Sequence, residues 1–274
     1  MNEARSAPGP AAGEPASRSP RGPSTRDWDA ATYHRVSDPQ FQWALEQLER
    51  LHLNGDEVVL DAGCGSGRVT AELADRVPRG RVYAVDVAPS MVEHARQALG
   101  RRATVSRQDL VALNLPEPAD AIFSNATFHW IHDHEGLFRA LYRNLKPGGR
   151  LVAQCGGRGN IDAFRTLADE VAAEDTFAPY FTDWQRPWNY ASDSVTGARL
   201  TNAGFTSVEC WLEPKSVTPT DARAFVHTVC LVRHLDPLPE HLRKAFVERV
   251  LSRAGRPLVL DYVRLNMTAQ APGQ

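Results

Sequence analysis

The sequence predicts a doubly wound α/β fold, and three observations predict it. Short apolar runs alternate with segments whose apolar residues recur at helical spacing. The first of those runs ends in a glycine-rich turn, "LDAGCGSG" at 60–67. Acids stand at or near the ends of three successive runs, at Asp61, Asp86 and Asp109. Apolar strands that alternate with helices build βαβ units, which enclose a parallel sheet between two layers of helix.

Taken in order, the elements are these. "SDPQFQWALEQLERLHLNG" opens with Asp38 as N-cap and Pro39 at the first helical position. Phe41, Leu45, Leu48 and Leu51 share one face of that helix, and Asn54-Gly55 ends it. Val58, Val59 and Leu60 form the first strand, and Val69, Leu73 and Val77 mark the helix after the glycine turn. "RVYAVDV" is the second strand, followed by a helix from Pro89 to Leu99 that stops at Gly100. "ATVSRQDL" and "ADAIFSNA" are the next two strands. Leu137, Phe138, Leu141 and Leu145 then mark a helix closed by "KPGG", and "RLVAQCG" is the fifth strand. Two late strands, within 207–219 and 257–269, enclose two helical segments, a helical insertion at 220–255.

The chain has 274 residues, 42% hydrophobic and 23% charged, with a formal net charge of −2. That is the composition of an ordinary globular protein, with no overall field to draw in nucleic acid or anionic lipid. The four cysteines form no CxxC pair, so a reducing cytoplasm is the expected setting. No apolar run approaches the roughly 20 residues that span a bilayer. Residues 1–26 are rich in Pro, Gly, Ser and Arg and are expected to be a disordered tail, with the folded domain at 27–274. Residues 175–191, "DTFAPYFTDWQRPWNYA", carry aromatics and proline without a clean period, and are expected either to cover an acceptor site as a lid or to be a loop packed down by its aromatics.

Gly63, Gly65 and Gly67 lie where a strand turns into a helix, so the backbone can bend tightly and approach a ligand. The dinucleotide fingerprint GxGxxG would need glycine at Arg68. Asp61 at the mouth of the turn suits a ligand with positive charge better than a pyrophosphate. Asp86, at the end of the second strand, stands where an acid meets ribose hydroxyls, and Asp109 offers an acceptor to an exocyclic amine. These features disfavour a nicotinamide-dependent oxidoreductase.

Together "VVLDAGCGSGRVTAEL", "VYAVDVAPSMVEHA", "SRQDL" and "ADAIFSNATFHWIHDHEGLFRALYRNLKPGGRLV" resemble the class I S-adenosylmethionine-dependent methyltransferases across residues 56–155. The resemblance implies a Rossmann-like, seven-stranded, mostly parallel sheet in the order 3-2-1-4-5-7-6, with the last strand antiparallel. It implies that Gly63 and Gly65 run beneath the methionine part of S-adenosyl-L-methionine. Asp86 would then bind the ribose and Asp109 with the Leu110 backbone the adenine, with Val87 and Met91 packed around it. Asn125 and Ala126 would touch the methionine end, and Tyr33 resembles a residue that closes over the cofactor in some members.

"FSNATFHWIHDH" at 123–134 has three readings: a metal site, a cleft wall, or a helix start with histidines left over. The spacing H-x-x-H-D-H is not that of a metallohydrolase, so no metal is expected. Asp133 serves as N-cap instead, which leaves His132 and His134 in a wet cap region. Beside the point where the strand order reverses, Phe128, His129 and Trp130 would face the methyl group as the acceptor wall, with His129 the candidate base. This stretch resembles small-acid carboxyl methyltransferases of the trans-aconitate type, which implies methyl-ester formation on a small-molecule acceptor. Arg158 and Arg186 are then candidate carboxylate clamps, with Trp184, Trp188 and Tyr190 covering the acceptor. The alternatives are methylation of carbon, nitrogen or phenolic oxygen in a natural product or quinone, and a non-catalytic binding module.

Overall fold

The computed structural model describes residues 38–273, so the expected tail at 1–26 and Tyr33 lie outside the described residues. Helix α1 (Asp38–Leu48) leads into strand β1 (Val58–Ala62) and helix α2 (Arg68–Arg76). Strand β2 (Arg81–Asp86), helix α3 (Pro89–Leu99) and strand β3 (Thr104–Arg107) complete one wing of the sheet. The other wing holds β4 (Ala119–Asn125), α4 (His134–Arg143), β5 (Leu145–Gly156), α5 (Asp162–Ala172), α6 (Asp193–Asn202) and β6 (Thr206–Val217). A short helix α7 (Ala222–Phe225), a π-helical turn (Val226–Cys230) and α8 (Glu240–Arg253) precede the final strand β7 (Leu260–Gln270).

The seven strands are ordered β3-β2-β1-β4-β5-β7-β6, with β7 antiparallel to both its neighbours. This is the order and polarity that the resemblance implies. Burial explains why β1 and β4 are central. Val59, Leu60, Ile122 and Phe123 are fully enclosed, and a strand covered on both faces must be apolar throughout. At the edge, β6 alternates exposed with partly buried residues and carries Glu209, Glu213 and Lys215, charges that blunt an open edge against pairing with other chains. One core cluster packs α4 and α6 against one face of the sheet through Leu137, Phe138, Leu141 and Leu200. A separate cluster joins α5, the π-helical turn and α8 beside β7 through Phe164, Val226, Phe246 and Tyr262.

Three local expectations are corrected. Helix α4 ends at Arg143, and Leu145 begins β5, because the Asn144 side chain turns back to the Ala140 carbonyl and closes the helix. The first of the two helical segments expected within 220–255 is one short α turn that widens into the π-helical turn. Asp133 does cap α4, accepting from the Gly136 N–H at 2.7 Å, but His134 is not wet. It is 2% exposed, its Nε2 lies 2.9 Å from the Phe128 carbonyl, and its Nδ1 faces Arg199 at 3.2 Å. Among the described residues no helix is long and apolar enough to cross a membrane.

Candidate active site

The strand order reverses between the parallel neighbours β1 and β4, so the connections that leave their carboxyl ends run to opposite sides and leave a crevice. Gly63, Gly65 and Gly67 all take positive φ, at 90°, 53° and 84°. At Gly63 a Cβ would stand 2.1 Å from the Thr127 hydroxyl, so the turn and the end of β4 meet where only glycine fits. At Gly65 a Cβ would have nothing within 4 Å, because that residue faces the crevice. Asp86 fixes the loop by accepting from Gly65 N and Ala88 N, each at 2.9 Å.

Two adjoining cavities, of about 470 and 460 Å³, occupy the crevice and share Gln40 as a wall. The first is lined by Asp61, Gly63, Gly65 and Asn125, with Arg68 and Phe41 at its rim. Asp61 is 2% exposed and accepts from Thr70 Oγ1 at 2.7 Å. Burial pushes its pKa up to about 7, despite the Thr70 hydrogen bond, and the nearby Asp86 charge adds to the rise. The acceptor atoms Asn125 Oδ1 and Gln40 Oε1 are buried there with no hydrogen-bond partner, while Asn125 Nδ2 donates to the Gln40 carbonyl at 3.0 Å. Orphaned acceptors beside a buried acid form a cavity that fits a cationic ligand group.

Toward β2, Met91 is buried and Val87, just past the strand end, is largely exposed, and neither lines the first cavity. Asp109 caps a single 3₁₀ turn (Leu110–Ala112), accepting from the Val111 N–H at 3.0 Å, with Leu110 buried behind it. The structure therefore brings the acids and glycines to one end of the sheet. With orphaned acceptors for a sulfonium or ammonium, and a cradle where a Cβ would intrude, these residues fit S-adenosylmethionine.

The second cavity is lined by Ala126, His129, Trp130, Trp188, Tyr190 and Arg264, together with Asn160, Ile161, Val229, Cys230 and Tyr262. Ala126 holds a left-handed φ of 56° at the junction of the two cavities, a strained conformation for a residue with a Cβ. His129 is 7% exposed, and its Nδ1 accepts from the Gly156 N–H at 3.2 Å. Burial drives its pKa well below the ordinary imidazole value, and the Arg264 charge lowers it further. A neutral imidazole with Nδ1 occupied carries its proton on Nε2. His129 is thus a hydrogen-bond donor, which does not suit it to the role of base expected from the sequence.

Several residues expected at the acceptor site stand elsewhere. Phe128 is 1% exposed and packs edge-on against Phe138 in the core. Arg158 is exposed, and Arg186 is exposed and paired with Asp169 at 2.5 Å. Trp184 lies tilted against His234, ring centroids 4.7 Å apart, instead of lining the cavity. The cation that does enter the cavity is Arg264 on β7, 2% exposed. Its Nε donates to Gln154 Oε1 at 3.2 Å, and its guanidinium lies 4.9 Å over the Trp43 ring. Gln154 in turn donates to Asn266 Oδ1 at 2.7 Å, so β5 and β7 fix the arginine from the strand side. The sequence carried a signal for it: Tyr262, Arg264 and Asn266 fall on one face of a strand that must be interior. Among the described residues no group of three or more His, Cys, Asp or Glu side chains converges as a metal site.

Comparisons with known proteins identify related chains. Residues 59–149 match a family model described as a methyltransferase domain. The chain is 31% identical over 238 residues to trans-aconitate 2-methyltransferase of Paracidovorax citrulli, covering 81% of this chain and 86% of the relative. It is 28% identical over 240 residues to the enzyme of the same name from an Acidovorax species, covering 84% and 89%. Among solved structures, the YcgJ protein of Bacillus subtilis superposes with a TM-score of 0.61 at 14% identity, over 85% of this chain and 100% of that one, a likeness of fold.

Proposed function

This chain belongs to the class I S-adenosylmethionine-dependent methyltransferases, and on that premise we propose that it methylates the carboxylate of a small organic acid. S-adenosylmethionine is its cosubstrate and a small molecule its acceptor. Bound, the sulfonium supplies an already activated methyl group. The glycine turn, Asp61, Gln40 and Asn125 would hold its cationic end, and Asp86 and Asp109 its nucleoside. What remains for the protein is to align the acceptor and exclude water, which can supply on the order of 7–11 kcal/mol of barrier reduction.

The observation that carries the carboxylate reading is the buried guanidinium of Arg264 in the cavity next to the cofactor cradle. A planar fork of N–H donors suits a carboxylate, and burial strengthens each charge-assisted hydrogen bond. His129 Nε2–H adds a neutral donor from the adjacent wall. The carboxylate oxygen takes the methyl group while the electron pair of the broken carbon–sulfur bond stays on sulfur. A methyl ester and S-adenosylhomocysteine result, and no proton changes hands. That balance agrees with a histidine whose acceptor nitrogen is already engaged, since a phenol or amine acceptor would call for a base. The names of the two bacterial relatives support the same reading.

The test is incubation of the full chain with methyl-labelled S-adenosylmethionine and small carboxylic acids, followed by mild alkali. The expected result is label released as volatile methanol. Label that survives alkali would overturn the carboxylate reading in favour of carbon, nitrogen or phenolic oxygen.

A further inference from the structure

Resting on the carboxylate reading, the walls around Arg264 say what kind of acid the cavity takes. One wall is a run of four rings. His129 stands 5.0 Å from Trp130 and 5.6 Å from Tyr190, Trp130 stands 6.0 Å from Trp188, and Trp188 stacks on Tyr190 with only 8° between their planes. Arg165 lies 5.8 and 5.1 Å over the Trp188 and Tyr190 rings, and Arg233 lies 5.3 Å over Trp130. The same cavity is lined by Ile161, Val229 and Tyr262.

The hydroxyls of the two tyrosines are already engaged, and the His129 Nε2–H is the donor assigned to the carboxylate. The Tyr190 hydroxyl is hydrogen-bonded to Asn160, whose Oδ1 accepts from the Val263 N–H at 3.1 Å. The Tyr262 hydroxyl meets Cys230 Sγ at 3.8 Å. What the walls offer a ligand is therefore flat apolar surface, which rewards an apolar body. Arg165 and Arg233 are each paired with an acid, Asp162 at 3.4 Å and Asp236 at 3.3 Å, so a second or third carboxylate would be desolvated against the aromatic faces in competition with those acids, an unfavourable placement.

We infer that the acceptor is a monocarboxylic acid with a flat apolar body, an aryl or conjugated hydrocarbon group, inserted among Trp130, Trp188, Tyr190, Ile161 and Val229. Its carboxylate rests on Arg264 beside the cofactor cradle. The substrate class thus differs from the tricarboxylate in the relatives' name. Trp188 and Tyr190 act on specificity by binding the body of the acid, not on the transfer itself.

The experiment compares kcat/KM of the full chain for trans-cinnamate and phenylacetate with that for trans-aconitate and citrate, scoring alkali-labile label in each case. The expected result is a preference of at least about 100-fold for the aryl acids. Trp188→Ala should raise KM for cinnamate by about 10-fold and leave the affinity for S-adenosylmethionine unchanged, whereas Trp188→Phe should restore most of the loss. A preference for trans-aconitate or citrate, with label still alkali-labile, would overturn this inference and leave the carboxylate reading standing. Alkali-stable label, or no transfer to any acid, would overturn the carboxylate reading and this inference with it.

Discussion

Adding one methyl group at Gly63 or at Gly65 should give opposite phenotypes, although the two glycines are two residues apart in one turn. In Gly63→Ala the new Cβ would sit 2.1, 2.3 and 2.6 Å from Thr127 Oγ1, Cγ2 and Cβ. Thr127 cannot simply rotate away, because its hydroxyl donates to the Gly63 and Asn125 carbonyls at 3.2 and 3.1 Å. Left-handed backbone at a φ of 90° costs an L-residue about 1–2 kcal/mol, and overpacking adds about 1–3 kcal/mol. Gly63→Ala should therefore lose about 2–5 kcal/mol of stability, a large part of the 5–15 kcal/mol typical of a folded domain. In Gly65→Ala only the backbone cost of about 1–2 kcal/mol applies, since nothing stands within 4 Å of the new Cβ. That Cβ instead enters the crevice, so S-adenosylmethionine should bind at least about 10-fold more weakly. Urea unfolding followed by circular dichroism reads the first effect, and titration calorimetry the second. Thr127→Ala in the Gly63→Ala background removes two of the three clashing atoms and should recover part of the stability, as expected for residues in contact. Equal destabilisation by the two single substitutions, with no recovery in the double variant, would refute the reasoning.

The remaining predictions concern charge. Asp61 titrates at about 7 in the folded protein, well above an ordinary carboxyl, so its ionised form becomes abundant only above that pH. Affinity for S-adenosylmethionine, measured by calorimetry, should tighten as pH rises through 7, and Asp61→Asn should flatten the profile. The raised value also means that the ligand-free fold binds an extra proton between pH 3.8 and about 7. The stabilisation this gives is complete below that window and is lost as pH rises across it, by on the order of a few kcal/mol, a slope that urea titrations of wild type and Asp61→Asn would reveal. Asp169 holds both Arg186 and His234 Nε2, at 2.5 and 3.4 Å, and so ties residues 181–190 to the helical segment between β6 and β7. Asp169→Asn should lower the melting temperature only slightly but speed chymotryptic cleavage after Phe181 and Trp184 several-fold; unchanged cleavage would show that the pair does not secure this segment.

What could be read in the sequence follows from how locally each feature is encoded. The cofactor cradle depends on strands and turns adjacent along the chain, so the positions of Asp61, Gly65, Asp86 and Asp109 at one sheet end follow from the βαβ pattern. The acceptor side is assembled from β4, β7, the aromatic segment and the π-helical turn, elements up to 138 residues apart between Ala126 and Arg264. Arg158 and Arg186 attract attention because they neighbour the fifth strand and the aromatics, yet both side chains end at the surface. Arg264 shares a strand face with Tyr262 and Asn266, but only the pairing of β7 between β5 and β6 brings that face to the acceptor cavity. The role of His129 is likewise invisible in one dimension, because the Gly156 N–H that sets its tautomer comes from the end of another strand.

The central claim, that Arg264 anchors the acceptor carboxylate, is tested most directly by the kinetics of Arg264→Lys, which keeps the charge and removes the fork of donors. Loss of charge-assisted hydrogen bonds worth about 1.5–3 kcal/mol predicts a fall in kcat/KM for the acid of roughly 10- to 150-fold. Affinity for S-adenosylmethionine, measured on the same preparation, should stay within about twofold of wild type. Unchanged acceptor kinetics, or a loss confined to S-adenosylmethionine binding, would contradict the account.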